Sequence, residues 1–449
     1  MSDLSGIIGI TINVSQARPS RAAFGVPMIV TSHTITANRS DSYGNLAEML
    51  AAGWPTYSAG YRWAQAMFSQ NPRPRTIKIG RVDAGDADLS VTLPAIYAAD
   101  PDWYLLVVPD TYSGTPATER TAVLLAAAWA ETNNVLYLPE SGGAELLVAG
   151  DTLASALVGA GYERTSLWYH GVQPQVVALS IDAALIAANS FICSVNGTAI
   201  VAEVFAVDSD TTLAAIAAKI QALDPVATAA VTAVAGGTDN DRVIVITAAS
   251  PWVTLSITDA AVTLGASQAS VSVAETTAAS TPLAAAIAGR MLAKDAGAAN
   301  WANQADLAGC TADDLTTAQI AVLELQRANY YTDFGIASMT RLGTCAATLY
   351  CDQRRGLDGL RLALEEAAVA LLADTDKIPK TADGIAAVAN RLVGVLRTFV
   401  VQGFLTGDVE QAINTDAGVF TGRTLSGLVI EATGAGAING LDLVINFSE

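Results

Sequence analysis

Two histidines, His33 and His170, are the only side chains here whose ordinary pKa suits proton transfer near neutral pH. His33 follows a strand-like run and His170 ends one, and neither has a patterned Cys, Asp or Glu beside it. Metal ligation needs several convergent ligands, and no HxxxH or HExxH spacing occurs. Two adjacent carboxylate pairs stand out, Asp313–Asp314 and Glu365–Glu366. A glycosidase needs carboxylates facing each other across a substrate, whereas neighbours on a helix point about 100° apart. Glu365–Glu366 therefore reads as a solvated helix face, and Asp313–Asp314 as a helix start where acidic groups favour the dipole. Asp208-x-Asp210 and Asp239-x-Asp241 resemble fragments of calcium loops without the required glycine and distal glutamate. The glycine-rich stretches 141–143 and 434–440 lack the lysine and spacing of a phosphate-binding loop, and there is no GxSxG elbow. Together these gaps predict no catalytic, metal-binding or cofactor-binding residue, no cofactor, and a chain that is not an enzyme.

What remains is a large, apolar, acidic chain. Its 449 residues exceed one compact core and imply roughly two to four domains. It is 51% hydrophobic and 15% charged, against a usual charged share of about a quarter. A surface so poor in charge suits a protein that buries much of itself against neighbours. The net charge of −19 argues against nucleic acid as a partner. Charge is unevenly spread: residues 1–81 carry +5, 82–170 carry −10, and 171–285 and 286–449 carry −7 each. Such asymmetry suggests opposite-sign surfaces that meet, within a subunit or between copies. Cys193, Cys310, Cys345 and Cys351 form no CxxC and read as small buried residues in a reducing compartment. The first residues lack the pattern of a signal peptide, and no apolar run approaches 18 residues, so no membrane insertion is expected.

Periodicity then sets the elements. Near the start Ile8, Ile10, Ile12 and Val14 alternate with small or polar residues, and near the end Leu441, Leu443, Ile445 and Phe447 do the same. Each reads as a half-buried strand that needs a sheet to join, in its own domain or in a neighbour. Between 26 and 170, apolar strands at 76–82, 103–109, 134–138 and 165–169 alternate with helices at 43–51, 58–69, 118–131 and 151–160, an α/β layer with a largely parallel sheet. Residues 175–280 change character. A hairpin turns at Asn196–Gly197, a helix bears Leu213, Ile216, Ile220 and Leu223, and strands follow at 242–247 and 252–258. After short strands near 330–339, two amphipathic helices carry Leu357, Leu360, Leu364, Ala367 and Leu371, then Ile385, Val388, Leu392, Val395 and Phe399. They pack most simply on a sheet containing 424–432 and the terminal strand. The fold class is thus α/β plus α+β and multidomain, with an inserted α+β module and a closing α+β domain. The divisions are a strand arm at 1–25, an α/β domain at 26–174 plus about 281–300, the module at 175–280, the closing domain at 301–435, and a second arm at 436–449.

One basic, proline-punctuated run, FSQNPRPRTIKIGR at 68–81, presents Arg73, Arg75, Lys78 and Arg81 along a strand entry. Without interleaved aromatics it fits an acidic protein surface or a neighbouring copy better than nucleic acid. With PSRAAFGVPMIV (19–30), NRSDSYGNLAEM (38–49), YTDFGIASMTRLG (331–343) and KIPKTADGIAAV (377–388), this run resembles the tail sheath proteins of contractile-tailed bacteriophages, in the branch with an inserted middle domain. The resemblance covers both halves of the chain and largely spares 175–280.

The resemblance implies a structural subunit in the virion tail, synthesised and assembled in the host bacterial cytoplasm. It would polymerise helically in rings around an inner tail tube protein, meet baseplate and tail terminator proteins, and contract to drive the tube through the host envelope. It also implies that Ile8–Val14 and Leu441–Phe447 add strands to sheets of adjacent subunits. Two other readings compete: a tube or baseplate component, and a surface glycan-binding protein whose active part is the module.

Overall fold

The computed structural model describes residues 7–8, 23–111, 115–233, 242–264, 269–375, 377–415, 418–421, 424–426 and 428–437. The chain is mixed α/β, multidomain and built on several sheets. The first sheet runs in the order Ser40–Tyr43, Ile77–Val82, Pro27–Ser32, Leu105–Val107, Leu136–Tyr137. Its last four strands are mutually parallel and the edge strand Ser40–Tyr43 is antiparallel. Alternation along the central strand feeds two cores. Met28 and Val30 pack with Leu93, Ile96, Val123 and Leu157 on one face. Ile29 packs on the other with Trp63, Met67, Ile287 and Met291.

The helices on that second face come from distant parts of the sequence. Helix Ala59–Phe68 packs against Leu283–Leu292, which follows residues 175–280. Gly289 permits the approach, since a Cβ there would lie 2.6 Å from both the Cα and the carbonyl oxygen of Met67. A second sheet, ordered Ser338–Arg341, Asn329–Asp333, Trp168–Tyr169, Glu140–Ser141, meets the first through a parallel bridge between Tyr137 and Thr165. Its strand Asn329–Asp333 runs parallel to Trp168–Tyr169. Trp301, Leu307 and Tyr331 enter one core of the α/β layer, and Leu323 and Ala328 enter the other. The boundary drawn from sequence at residue 300 therefore falls inside this layer.

Residues 176–277 build two further sheets and a core of their own. One sheet is antiparallel, in the order Val226–Ala233, Arg242–Ala248, Val176–Ile181, Val271–Thr277. The other centres on Ser190–Val195, which pairs with Thr198–Ala199, Glu203–Val204 and Ile257–Thr263. Asn196 and Gly197, at φ +50° and +81°, make the two-residue hairpin turn with both centres left-handed. Helix Ser209–Gln221 closes the core with Leu213, Ile216 and Ile220, and it is capped by Asp208, whose Oδ1 accepts the Thr211 amide at 2.7 Å. That capping role accounts for the calcium-loop fragment at Asp208. The stretch after Trp252, expected to be a strand, is not one; the strand is Ile257–Thr263. Trp252 instead leaves this core and packs edge-on against Trp63 of the α/β layer at 5.4 Å.

The closing part consists of helices Cys351–Asp374 and Ala382–Val401 over short strands. Leu360, Leu364, Leu392, Leu396 and Phe399 pack together with Ile413 and Ile430. The strand expected over 424–432 is divided into Thr424–Ser426, which pairs with Val419–Thr421, and Val429–Glu431, which pairs elsewhere. Ala382–Val401 is long and apolar enough to cross a membrane by length and composition, a property that no single apolar run reveals. Its apolar stripe faces the partner helix, as in the core of a bundle.

Candidate assembly surface

The N-terminal strand lies on the closing part. Ile7 pairs with Glu431 and Ile8 with Ile430, antiparallel, while Ile413 and Asn414 pair with Ile430 and Val429 on the other side. Val429–Glu431 is thus the centre of a three-stranded sheet flanked by the chain's own beginning. Ile430 is buried and belongs to the same core as Leu360 and Leu396, so the central strand is anchored in the helical pair. Ile8 is therefore placed in a sheet. Ile10, Ile12, Val14, Leu441, Leu443, Ile445 and Phe447 lie outside the described residues.

The basic run divides in two. Lys78 Nζ is 2.5 Å from Asp100 Oδ1, and Arg81 pairs with Asp83 at 2.6 Å while donating to the carbonyls of Ala37 and Asn38. These two cations serve the edge of their own sheet. Arg73 and Arg75 are exposed, with the Arg73 guanidinium 5.6 Å from the centre of the Phe68 ring. Of the four residues, these two remain available to a partner.

The histidines are separated by their surroundings. The His33 ring lies 4.7 Å from that of Trp54, tilted by 55°, its nitrogens find no hydrogen-bond partner among the described residues, and burial lowers its pKa to about 4. It is neutral at physiological pH. His170 is buried with its Nδ1 3.1 Å from both oxygens of Asp313, which also accepts the Gly171 amide at 2.8 Å. Asp313 therefore does not start a helix. That role falls to Thr316, which caps Thr317–Leu325. Beside this pair the buried Glu140 accepts the Leu283 and Ala284 amides at 3.1 and 2.8 Å, at the start of helix Leu283–Leu292. Burial raises Glu140 to about 7 against the opposing pull of His170 and the two amides. For His170, burial opposes the charge, but Asp313 and Glu140 outweigh it and raise the pKa.

This cluster sits where the chain leaves for and returns from residues 176–277. Beside it, the Gln173 amide donates to Ser280 Oγ at 3.1 Å, and Arg62 to the Ser280 carbonyl at 3.0 Å. Sequence spacing could not reveal it, because His170 and Asp313 are 143 positions apart. Glu365, the first of the other carboxylate pair, binds Arg361 one helical turn earlier at 3.1 Å.

The joint between the α/β layer and the closing helices is held by buried charge. Asp358 bonds Arg164, Arg354 at 2.7 Å and the Tyr104 hydroxyl at 2.8 Å. Burial pushes the Asp358 carboxyl up, yet the two guanidiniums more than offset it and hold it below the usual range. Arg355 donates to the carbonyls of Met291, Leu292 and Lys294 at 2.8–3.1 Å, capping the end of helix Leu283–Leu292. Next to it a groove of about 770 Å³ opens between Phe24, Glu366, Arg391 and Phe399. Large apolar side chains are exposed outside these joints: Val369, Leu372 and Val401 on the closing helices, and Ile336 at the tip of the hairpin 329–341.

No protein-family model matches the sequence, and no curated protein matches it. Solved structures do. The chain is similar to a component of the anti-feeding prophage baseplate, with a TM-score of 0.51 and 16% identity over 100% of this chain and 99% of the other. It is also similar to a component of the contracted sheath complex of an extracellular contractile injection system, PVC, with a TM-score of 0.50 and 12% identity over 100% and 98% of the two chains. The whole fold, end to end, is shared with subunits of contractile assemblies.

Proposed function

We propose that the chain is a structural subunit of a contractile phage tail sheath. It polymerises helically around the inner tail tube, meets baseplate and terminator proteins at the ends, and contracts to drive the tube through the host envelope. The observation that carries the reading is the end-to-end likeness to subunits of contractile assemblies, matched over nearly the full length of both chains. The strand Ile7–Ile8, held by two residue pairs on an anchored central strand, gives that reading a physical means. The same edge can take the arm of an adjacent copy, so subunits stay tethered by main-chain hydrogen bonds while domains rotate. Contraction then needs no cofactor, since the energy comes from better-matched contacts in the contracted lattice.

Electron microscopy of the purified protein tests the proposal. Wide, hollow, striated cylinders are expected. Discs would favour a baseplate component, a reading supported by the baseplate source of one similar chain. Persistent monomers across salt and concentration would overturn both.

A further inference from the structure

Cys345 and Cys351 are fully buried, and their sulfurs lie 3.8 Å apart. They stand at the two ends of a closed loop rather than in loose chain. The Cys345 amide donates to the Leu349 carbonyl at 3.0 Å, the Cys351 amide donates to Gly343 at 2.8 Å, and Thr344 bridges Tyr350. Arg327 spans the loop from outside, donating to the carbonyls of Cys345 and Leu349 at 3.0 and 3.2 Å. The backbone therefore presents two thiols in van der Waals contact, and a disulfide of about 2.05 Å needs an approach of roughly 1.8 Å. The loop connects the hairpin strand Ser338–Arg341 to the first turn of helix Cys351–Asp374, the joint between the α/β layer and the closing helices. Cys193 sits apart in the core of residues 176–277, whereas Cys310 packs at the edge of the same core that holds Cys345 and Cys351.

We propose that Cys345 and Cys351 form a redox site, closed to an intramolecular disulfide by a small-molecule disulfide such as oxidised glutathione. One cysteine, reached by glutathione before the loop closes in folding or when it opens, loses its proton to solvent, and its thiolate attacks the glutathione disulfide, forming a mixed disulfide and expelling one glutathione thiolate. The second cysteine, having lost its proton to solvent, attacks the protein sulfur of that mixed disulfide and expels the second glutathione. Two protein thiols are oxidised and one glutathione disulfide is reduced to two glutathiones. The new bond fixes the end of the hairpin to the start of the long helix, so oxidation after release from a reducing compartment locks this joint. The inference does not depend on the sheath reading.

Full-length protein is exposed to oxidised glutathione in two ways, folded and during refolding from denaturant, and is then denatured, alkylated and digested with trypsin. Both cysteines fall in one tryptic peptide, residues 342–354. The expected result is a loss of two of the four thiols, with that peptide two hydrogens lighter and unalkylated while Cys193 and Cys310 are alkylated. Cys345→Ser should abolish the two-hydrogen loss. The proposal is overturned if peptide 342–354 keeps both thiols in both regimes, ends as a stable glutathione adduct, or is cross-linked to Cys193 or Cys310.

Discussion

At the scale of single residues, the molecule concentrates its electrostatic risk at two buried points. Asp358 joins three partners from separate segments, and each depends on its charge. Asp358→Ala leaves Arg164 buried without its counter-charge, so the loss of unfolding free energy in urea should reach about 3–5 kcal/mol. Tyr104→Phe removes one hydrogen bond to the same carboxylate and should cost only about 1–2 kcal/mol. Equal losses would mean that the charge itself contributes little. The other point is Glu140, raised by burial from 4.5 to about 7. A carboxyl that holds its proton more tightly when folded stabilises the fold at low pH, and that contribution is lost as pH rises from about 4.5 through 7. His170, also raised, acts in the same direction: its contribution is present below 6.5 and disappears as pH rises through its folded pKa. His33, lowered to about 4, works the other way and adds stability as pH rises from about 4 to 6.5. Against that background Glu140→Gln should make the change in stability between pH 4.5 and 7 less negative by roughly 1–3 kcal/mol, each pKa unit being worth about 1.4. In the variant Glu119, likewise raised to about 7, and His33 oppose each other over the same range. An unaltered slope in urea midpoints would remove Glu140 as the cause.

At the scale of elements, two glycines in helices should behave oppositely when substituted. A side chain at Gly289 meets the Met67 backbone at 2.6 Å, so Gly289→Val must push apart helices Ala59–Phe68 and Leu283–Leu292. A thermal melt should show a loss of about 1–3 kcal/mol or more. Gly394, within helix Ala382–Val401, has open space around its Cβ position, and Gly394→Ala should stabilise by about 0.5–1 kcal/mol through helix propensity. The contrast explains what sequence periodicity could and could not supply. The stripes Leu360–Leu364–Ala367 and Leu392–Phe399 are local patterns, and they became the facing sides of two helices. The Asn196–Gly197 turn was equally legible, because its dihedral demand is written in two adjacent residues. Helix Leu89–Ala99 was hidden by Pro94 inside it, and Val176–Ile181 and Val271–Thr277 by alternation too shallow to separate strand from linker. Trp252 read as a strand residue because nothing local marks a side chain that packs across to Trp63. The Glu140–His170–Asp313 cluster was invisible for the same reason, being assembled only by the parallel pairing of distant strands.

At the scale of the whole molecule, what must be explained is how a folded subunit can also be part of a lattice. The core of the closing part, with Leu360, Leu364, Leu396, Ile413 and Ile430, anchors the strand Val429–Glu431 that Ile7–Ile8 borders. If the arm acts as a tether, removing residues 1–15 should leave a folded monomer while abolishing cylinders. Arg73→Gln with Arg75→Gln acts differently: both side chains are exposed, so folding is preserved, and assembly should become less sensitive to salt as one charged contact is lost. Lys78→Met is the control, since it breaks the Lys78–Asp100 pair inside the subunit and should lower monomer stability by about 1 kcal/mol, with little effect on salt sensitivity. Sedimentation across a salt series distinguishes the three. Ordinary polymerisation of the truncated chain would sink the tether idea, and an unaltered salt response in the double variant would remove Arg73 and Arg75 from the interface. If both effects appear with unchanged melting, lattice contacts and folding contacts are separate sets of residues, which is the condition for a subunit that changes its neighbours without unfolding.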